Sequence, residues 1–568
     1  MSRPPDSSLS DRPDSPPHCA GWWWGSSPPE PLRRGTLARA LLEIHKPIYL
    51  VRGERGLRLT QEGTVQLGGV QKDARREELC GHVPPCPLEH LGDPSFSKDH
   101  GLRYPYVAGA MANGIASVEV VEAMARGGLL SFFGAAGLPP RRVEHAIEQL
   151  AASVGELPYG FNLIHSPGEP QLETEIVELY IRRGVHRVEA SAYLDLTLPV
   201  VRYRVHGIHR NGEGRIVTPN RIIAKVSRIE VATKFLSPPP RALLEKLLHS
   251  GTITADEAEL AAQIPMAQDV TAEADSGGHT DNRPLLTLLP TLVALRDRMQ
   301  KESSTPLRIG AAGGIATPAA ANAAFAMGAA YLLTGSINQA CREAGTSEAV
   351  RRMLAEAEQA DVAMAPAADM FEMGVKVQVL KRGTLFAMRA ARLYEIYRSF
   401  GSLEEIPPRE RAQLEKQIFR APLAEVWQHT RRYFQERDRS QVERALKDEK
   451  HKMALVFRWY LGLSSEWANS GESSRQIDYQ VWCGPAMAAF NEWVRGSFLE
   501  DPEERDVVTV ALNLLYGAAV IFRAQVLRSQ GVAISSERFQ PLRRRELEER
   551  LGSSRTRAVN HIHQNHRS

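Results

Sequence analysis

The chain has 568 residues, of which 43% are hydrophobic and 24% charged, a balance typical of a folded protein with two or three domains. Its formal net charge of only +3 disfavours nucleic acid as the main partner. Five scattered cysteines fit a reducing compartment better than a disulfide framework, and the N-terminus shows no signal-peptide pattern, so we predict a cytoplasmic protein.

The N-terminal stretch, residues 1–36, is rich in proline and serine and predicts a disordered arm, because such a composition buries too little surface to offset its ordering entropy. Three tryptophans at 22–24 are expected to anchor onto the protein's own surface. A lead-in segment, 37–100, follows. It contains residue types that bind zinc, but their spacing matches no zinc pattern, so no metal site is predicted. These residues are Cys80, His82, Cys86 and His90.

Residues 101–385 alternate short apolar runs with amphipathic helical patterns, which is typical of parallel βα units. Eight such units over roughly 230 residues predict an α/β fold, a (β/α)8 TIM barrel of about the usual 250 residues, with a doubly wound open sheet as the competing topology. The predicted strands are 104–110, 129–133, 159–164, 187–191, 221–227, 266–272, 307–312 and 330–335.

Helical patterns dominate the remaining sequence. A segment at about 232–264, after the fifth strand, predicts an inserted helical pair over the barrel mouth, and 386–535 predicts a helical C-terminal region. The most apolar stretch, 507–522, falls short of the ~20 residues that span a bilayer, so it predicts a buried helix and no membrane segment. A basic tail, 536–568, follows.

Two glycine-bearing loops follow the seventh and eighth predicted strands, where (β/α)8 barrels commonly bind phosphate. Gly313 and Gly314 allow the backbone to approach an anion. Gly335 and Ser336 open the next helix, whose amide groups favour negative charge. The sequence therefore predicts a phosphate-bearing ligand at this end of the barrel, in preference to two simple tight turns.

The other strand ends supply groups suited to a flat, hydrogen-bonding ring. Small residues and Met111 end the first strand, Asn162 ends the third and Lys225 ends the fifth. A phosphate together with such a ring describes flavin mononucleotide (FMN), beside which a lysine favours the reduced anion. An ion pair between Lys225 and Glu189 is the alternative role, since an interior lysine is costly unless it is paired.

The loop after the sixth strand, 273–284, combines two glycines with a histidine. His279 is the best single candidate for acid–base work because its unperturbed pKa lies near neutrality. Capping the next helix or satisfying a core hydrogen bond is the alternative role. Asp275, Asp281 and Arg283 are expected to hold this loop in place.

Several long motifs resemble the PfaD-type family, the trans-acting enoyl reductases of polyketide and polyunsaturated fatty acid synthases. They include "LGDPSFSKDHGLRYPYVAGAMANGIAS", "DVTAEADSGGHTDNRP", "IGAAGGIATP", "YLLTGSINQACREAGTS" and "APAADMFEMGVKVQVLKRGT". The resemblance extends through "CGPAMAAFNEWVRGS" and covers roughly residues 80–533. This family belongs to the nitronate monooxygenase-like FMN barrels.

The resemblance implies an FMN-dependent reductase that consumes NADPH and acts on an enoyl thioester carried by an acyl carrier protein domain. Hydride would reach the β-carbon and a proton the α-carbon. His279 would donate that proton or polarise the thioester carbonyl, and the motif leaves the choice open. The residues implied to contact FMN are Ala110, Met111, Asn162, Lys225, Gly277 and Gly278 at the ring, and Ala312, Gly313, Gly314, Gly335 and Ser336 at the phosphate.

Two other functions remain as alternatives. A flavin oxidase of the nitronate monooxygenase type has the same fold and needs no NADPH, although it has no need for the long helical C-terminus. A non-catalytic scaffold of a synthase complex is disfavoured by the intact glycine loops. The sequence leaves the acyl chain, the pathway and a homodimer open.

Overall fold

The computed structural model describes residues 19–54, 56–68, 76–167, 169–534 and 539–552. Contacts divide the chain into two compact units, Met1–His90 with Leu512–Ser568, and Leu91–Ala511. Positions 1–18 of the predicted arm and 553–568 of the basic tail lie outside the described residues.

The first unit contains a six-stranded antiparallel sheet with the strand order β2-β4-β3-β6-β1-β5. Its core includes Ile48 and Leu50 from the sheet and Leu41 from helix α1 (Arg34–Leu42). The strands are β1 (Gly21–Trp24), β2 (Glu30–Pro31), β3 (Ile48–Gly53), β4 (Gly56–Thr60), β5 (Thr64–Leu67) and β6 (Glu77–Val83).

The prediction of a disordered arm is wrong for residues 19–36. Strand β1 pairs with both β5 and β6, and Trp23 is buried while Trp22 and Trp24 are half-buried, so the triplet alternates across the sheet. The indole of Trp23 also donates a hydrogen bond to the carbonyl of Glu62 at 3.0 Å. Local composition indicated disorder because the two strands that pair with this segment lie well beyond it in the chain.

The second unit contains the predicted closed barrel of eight parallel strands, which confirms the (β/α)8 fold. Its strands are buried on both faces, which explains why they are continuous apolar runs without alternation. The barrel strands are β7 (Tyr106–Ala108), β8 (Leu130–Phe133), β9 (Gly160–Ile164), β10 (Arg187–Ser191), β13 (Arg221–Val226), β14 (Asp269–Glu273), β16 (Arg308–Ala312) and β17 (Leu332–Thr334).

Several helices around the barrel begin at a side chain that caps the first turn. Ser117, Thr197 and Thr317 each accept a hydrogen bond from a backbone N–H three residues later. The helices are α2 (Pro94–His100), α3 (Val118–Arg126), α4 (Pro140–Val154), α5 (Pro170–Arg182), α6 (Leu198–Val205), α7 (Ile229–Leu236), α8 (Arg241–His249), α9 (Ala255–Ala261), α10 (Leu285–Gln300), α11 (Pro318–Ala326), α12 (Ser336–Gln339) and α13 (Glu348–Ala355).

The predicted insertion after the fifth strand exists as α8 and α9, but its predicted place over the barrel mouth is wrong. The pair lies between the end of α7 and the start of β14, where the amide of Met266 donates to the carbonyl of Ser237. A helix that follows a barrel strand runs back to the opposite end of the barrel. The insertion therefore lies at the amino-terminal ends of the strands.

A hairpin covers part of the mouth instead. Strands β18 (Val362–Pro366) and β19 (Lys376–Leu380) pair antiparallel, and β15 (Gly278–His279), from the loop after the sixth barrel strand, joins them as a third strand. A two-stranded ribbon, β11 (His209–Arg210) and β12 (Ile216–Val217), precedes the fifth barrel strand. The loop predicted to carry the chemistry is thus tied to a segment that follows the barrel.

The helical region after the barrel is confirmed and shares one apolar core with the hairpin, including Phe371, Val377 and Val379. Its helices are α14 (Phe386–Ser399), α15 (Pro408–Leu414), α16 (Leu423–Arg437), α17 (Arg439–Ala445), α18 (Glu449–Ser470) and α19 (Pro485–Val494), with a π-helical turn at Glu415–Phe419. Short 3-10 turns lie at Leu88–His90, Gln359–Asp361, Ser473–Asp478, Phe498–Glu500 and Pro502–Glu504.

The division between the two units falls within α20 (Val507–Ser529), which is followed by α21 (Arg544–Arg550). Helix α20 has the length and composition of a membrane span, yet 78% of its most apolar window is buried within the protein. That burial is what a core helix shows, so the predicted buried helix is confirmed. Leu527 of this helix joins Leu41 and Leu50 in the core of the first unit.

Candidate active site at the barrel mouth

Three charged side chains meet where the fourth, fifth and sixth barrel strands end. The Nζ atom of Lys225 lies 3.1 Å from Oε1 of Glu273 and 3.5 Å from Oε2 of Glu189. Lys225 therefore forms the ion pair weighed as one of its roles. The other role, contact with a cofactor ring, stays open because the lysine lies at the mouth. Burial lowers the pKa of Lys225, but the two carboxylates outweigh it and raise that pKa above its usual value.

Glu189 has a carboxyl group with one unsatisfied oxygen. Its side chain is fully buried; Oε2 accepts a hydrogen bond from the amide of Ala110 at 3.0 Å, while Oε1 has no partner among the described residues. Burial raises the pKa of Glu189 despite the neighbouring lysine. An unpartnered buried oxygen costs free energy, so this atom marks a place where a ligand donor would be favourable.

Asn162 is buried and fixed in place from one side. Its amide nitrogen donates to the carbonyl of Glu189 at 3.1 Å and to Oγ of Ser191 at 3.0 Å. Met111 is half-buried, and its carbonyl accepts the amide of Ala116, which shapes the first loop. Of these two predicted ring contacts, Met111 follows the first barrel strand, whereas Asn162 lies in the middle of the third strand and not at its end as predicted.

The loop after the sixth strand is braced by its own polar side chains. Oδ1 of Asp275 accepts hydrogen bonds from Asn282 at 2.8 Å and Thr280 at 3.4 Å, and the carboxylate of Asp281 pairs with Arg228 at 3.0 Å. Arg283 contributes its carbonyl, which accepts the amide of Asp275. All three residues expected to hold the loop do take part in it.

The two glycines of this loop have different surroundings. A Cβ on Gly277 would lie 2.9 Å from the backbone nitrogen of Cys483, and a Cβ on Gly484 would lie 2.7 Å from the backbone nitrogen of Gly277. The two backbone segments are therefore in van der Waals contact. Cys483 lies in this contact, and burial raises the pKa of its thiol to about 12. Gly278 adopts a φ of +84° and faces open space. Of the two glycines implied to contact the ring, Gly278 is therefore the one with open space beside it.

His279 forms an ion pair with a residue that sequence reasoning did not select. Its Nε2 atom lies 3.1 Å from Oδ1 of Asp369, and their side chains are 38% and 36% exposed. Burial lowers the pKa of His279, but the hydrogen bond and charge of Asp369 outweigh it and raise that pKa. The only sequence signal for Asp369 is its place in "APAADMFEMG", a motif of the resemblance to which no role was assigned.

The two predicted phosphate loops are open where an anion would approach. A Cβ on Gly314 or on Gly335 would meet no atom within 4 Å, whereas one on Gly313 would clash with the backbone of Ala274. Ala312 is buried, and its carbonyl accepts the amide of Ala274. Ser336 starts α12 directly after Gly335. Open backbone at Gly314 and Gly335, together with the unpartnered oxygen of Glu189, fits a phosphate-bearing ring ligand such as FMN.

The barrel and the helical region that follows it are each similar to a known protein family. Residues 95–397 match the model of the nitronate monooxygenase family. Residues 400–479 match that of the inserted helical domain of [acyl-carrier-protein] S-malonyltransferase. The boundary between the two matches falls at the end of α14, the first helix of the helical region.

Two curated relatives are similar over most of this chain. One is a polyunsaturated fatty acid synthase subunit of a Thraustochytrium species, 46% identical over 514 residues, which cover 89% of this chain and 34% of that protein. The polyketide biosynthesis protein PksE of Bacillus subtilis is 45% identical over 441 residues, which cover 77% of this chain and 57% of PksE. The chain thus spans between about a third and somewhat over half of these relatives.

One solved structure is similar over its whole length. The enoyl reductase domain of MlnA, from the macrolactin biosynthesis cluster of Bacillus amyloliquefaciens, superimposes with a TM-score of 0.74 at 40% identity. The match covers 100% of that domain and 78% of this chain.

Proposed function

This chain belongs to the nitronate monooxygenase family, and we propose that it is an FMN-dependent, NADPH-using enoyl reductase of polyketide or polyunsaturated fatty acid biosynthesis. Its substrates would be α,β-unsaturated thioesters carried on acyl carrier protein domains of a synthase. The observation that carries this proposal is the similarity to the enoyl reductase domain of MlnA, which the match covers over 100% of that domain's length. The relative named as part of a fatty acid synthase supports the choice of a carrier-bound substrate.

We propose that the backbone of Gly314, Gly335 and Ser336, which is open to an anion, would hold the phosphate of FMN. Lys225, Asn162 and Met111 would border the ring. When bound, FMN supplies hydride transfer between the nicotinamide and the substrate.

His279 would supply the proton that the α-carbon of the substrate needs. A general acid must carry its proton at the working pH, and the raised pKa of His279 favours the protonated ring. Asp369 engages Nε2, so Nδ1 is the nitrogen left to give its proton to the substrate. Gly278, which faces open space beside it, leaves room for a substrate at this point.

An anaerobic titration tests the proposal. The purified protein should show a flavin absorption band that NADPH bleaches, and an enoyl thioester on a carrier protein or its pantetheine analogue should restore the band. A colourless protein would support the scaffold alternative. Oxygen uptake with an alkyl nitronate, without NADPH and without enoyl reduction, would support the oxidase.

A further inference from the structure

The hairpin over the mouth brings an acidic residue to the proposed proton donor. Asp369 follows β18 in the segment that connects it to β19, and its Oδ1 lies 3.1 Å from Nε2 of His279. Resting on the function proposed above, we propose that Asp369 is a positioning residue of the reaction. It fixes the ring of His279 and keeps that ring protonated, so that Nδ1–H faces the substrate.

Strand pairing determines this contact. His279 pairs with Val377 of β19, and Val377 pairs on its other side with Ala365 of β18. The end of β18 is therefore separated from His279 by one strand, β19. The segment after β18 turns back toward His279 and brings Asp369 to it. A one-residue shift of β19 would move the whole face of the hairpin away from the imidazole.

The carboxylate is oriented independently of the histidine. Arg458 of α18 donates from Nε to the carbonyl of Ala368 at 2.9 Å, and the amide of Ala367 donates to the carbonyl of Val375 at 2.9 Å. Oδ1 of Asp369 also accepts the amide of Met370 at 3.1 Å. An acceptor that is already oriented loses little entropy when it binds the imidazole, which is the requirement for a group that positions another.

The charges around the pair favour the imidazolium–carboxylate form. Asp369 and Glu273 raise the pKa of His279, whereas burial and Lys225 lower it. Burial raises the pKa of Asp369, but His279, a backbone hydrogen bond and Arg458 outweigh it and hold that pKa below its usual value. Removing the Asp369 charge leaves burial and Lys225 opposed only by Glu273, so the proton on His279 becomes easier to lose.

The test is the titration of His279 in the flavin-loaded protein. In protein labelled with ¹³C-histidine, the resonance of His279 is identified as the one that is lost in His279→Gln. In Asp369→Asn, its pKa should fall by about one unit or more, as expected for the loss of a charge in contact. The high-pH limb of kcat/KM should move to lower pH by the same amount, because the acid form is then lost earlier.

Rates separate positioning from a merely structural role. Enoyl reduction by Asp369→Asn should be slower by about 10²-fold, with the flavin absorption band retained. The double variant His279→Gln/Asp369→Asn should be no slower than His279→Gln alone, because Asp369 acts through the histidine. The matched control is Asp361→Asn at the far end of the same hairpin, where the carboxylate pairs with Arg382 at 3.3 Å; it should leave the titration and the rate unchanged.

An unchanged titration of His279 in Asp369→Asn, or a double variant slowed by the full product of both single effects, would overturn the proposal. If Asp369→Asn does not fold, Asp369→Glu decides the question: it should keep the raised pKa while slowing the reaction, and a lowered pKa would contradict the assignment. The titration requires no turnover. A wild-type protein that reduces no enoyl thioester would therefore refute the reductase while the His279–Asp369 coupling is still measured.

Discussion

The two ends of the barrel both contain buried charges, but they are built differently. At the amino-terminal end, Asp269 opens β14 and accepts hydrogen bonds from Arg308 at 2.6 Å and His100 at 2.9 Å, while Arg308 also binds Asp99. At the carboxyl end of the same strand, Glu273 shares Lys225 with Glu189, whose Oε1 has no partner among the described residues.

The difference shows that the two ends of one strand, β14, hold their charges in different surroundings. Burial alone would raise the pKa of Asp269, but His100 and Arg308 hold it well below its usual range, so this carboxylate is stably ionised. At the mouth one lysine serves two carboxylates, and an unpartnered carboxylate oxygen there costs stability and favours a ligand. Paired charges stabilise the amino-terminal end of the barrel, and the mouth has polar groups that are open to a ligand.

The largest expected effect is on activity at the mouth. His279→Ala should slow enoyl reduction by about 10² to 10⁴-fold, the range that a general acid contributes. Flavin absorption and the free energy of unfolding should change little, because His279 is part-exposed. Steady-state NADPH oxidation with an enoyl thioester measures the loss. Loss of the flavin in this variant would make His279 a structural residue instead.

A change at the amino-terminal end of the barrel should lower stability and leave activity unchanged. Arg308→Met leaves Asp269 buried without its main cation and should lower the free energy of unfolding by about 3–5 kcal/mol in urea denaturation. The folded fraction should retain its flavin and its rate. Arg241→Met is the matched control: it removes an exposed i,i+4 pair with Glu245 and should cost no more than about 0.5 kcal/mol. Equal losses in the two variants would contradict the comparison.

Substitutions at two glycines of the mouth test backbone packing and FMN binding separately. Gly277→Ala places a Cβ 2.9 Å from the backbone of Cys483 and should lower the free energy of unfolding by about 1–3 kcal/mol. Gly335→Ala meets no atom within 4 Å and has no positive φ, so it should leave stability unchanged. We expect Gly335→Ala to weaken FMN binding about tenfold in a fluorescence titration, because the Cβ occupies the path of the phosphate. Tight FMN binding in this variant would place the phosphate elsewhere.

The smallest effect concerns the pH dependence of stability at the His279–Asp369 pair. The folded pKa of His279 is raised, so its contribution is present at low pH and is lost as pH rises through that pKa. The folded pKa of Asp369 is lowered, so its contribution is lost as pH falls through it. Between these two pKa values, the free energy of unfolding of the wild type should exceed that of Asp369→Asn by up to about 1 kcal/mol. The difference is small because both side chains are over one third exposed, and solvent screens their attraction. A difference that is constant with pH would show that the charges do not contribute.

Sequence patterns identified the barrel because its strands, buried on both faces, appear as continuous apolar runs between amphipathic helices. The same patterns located the glycine loops and His279, since a (β/α)8 barrel places its strand ends on one face. The inserted helices were assigned to the wrong end of the barrel because periodicity gives the length of a helix and not its direction relative to the strands.

What the sequence determined by itself is therefore what short stretches encode: the eight strands, the loops that follow them and the positions of Lys225 and His279 near the strand ends. The tertiary structure alone decided the partners. Trp23 finds its sheet neighbours in two later strands, Gly277 meets Cys483 from beyond the barrel, and His279 meets Asp369 across 90 residues. Such contacts depend on how distant segments pack, and no local pattern of hydrophobicity or turn residues records that packing.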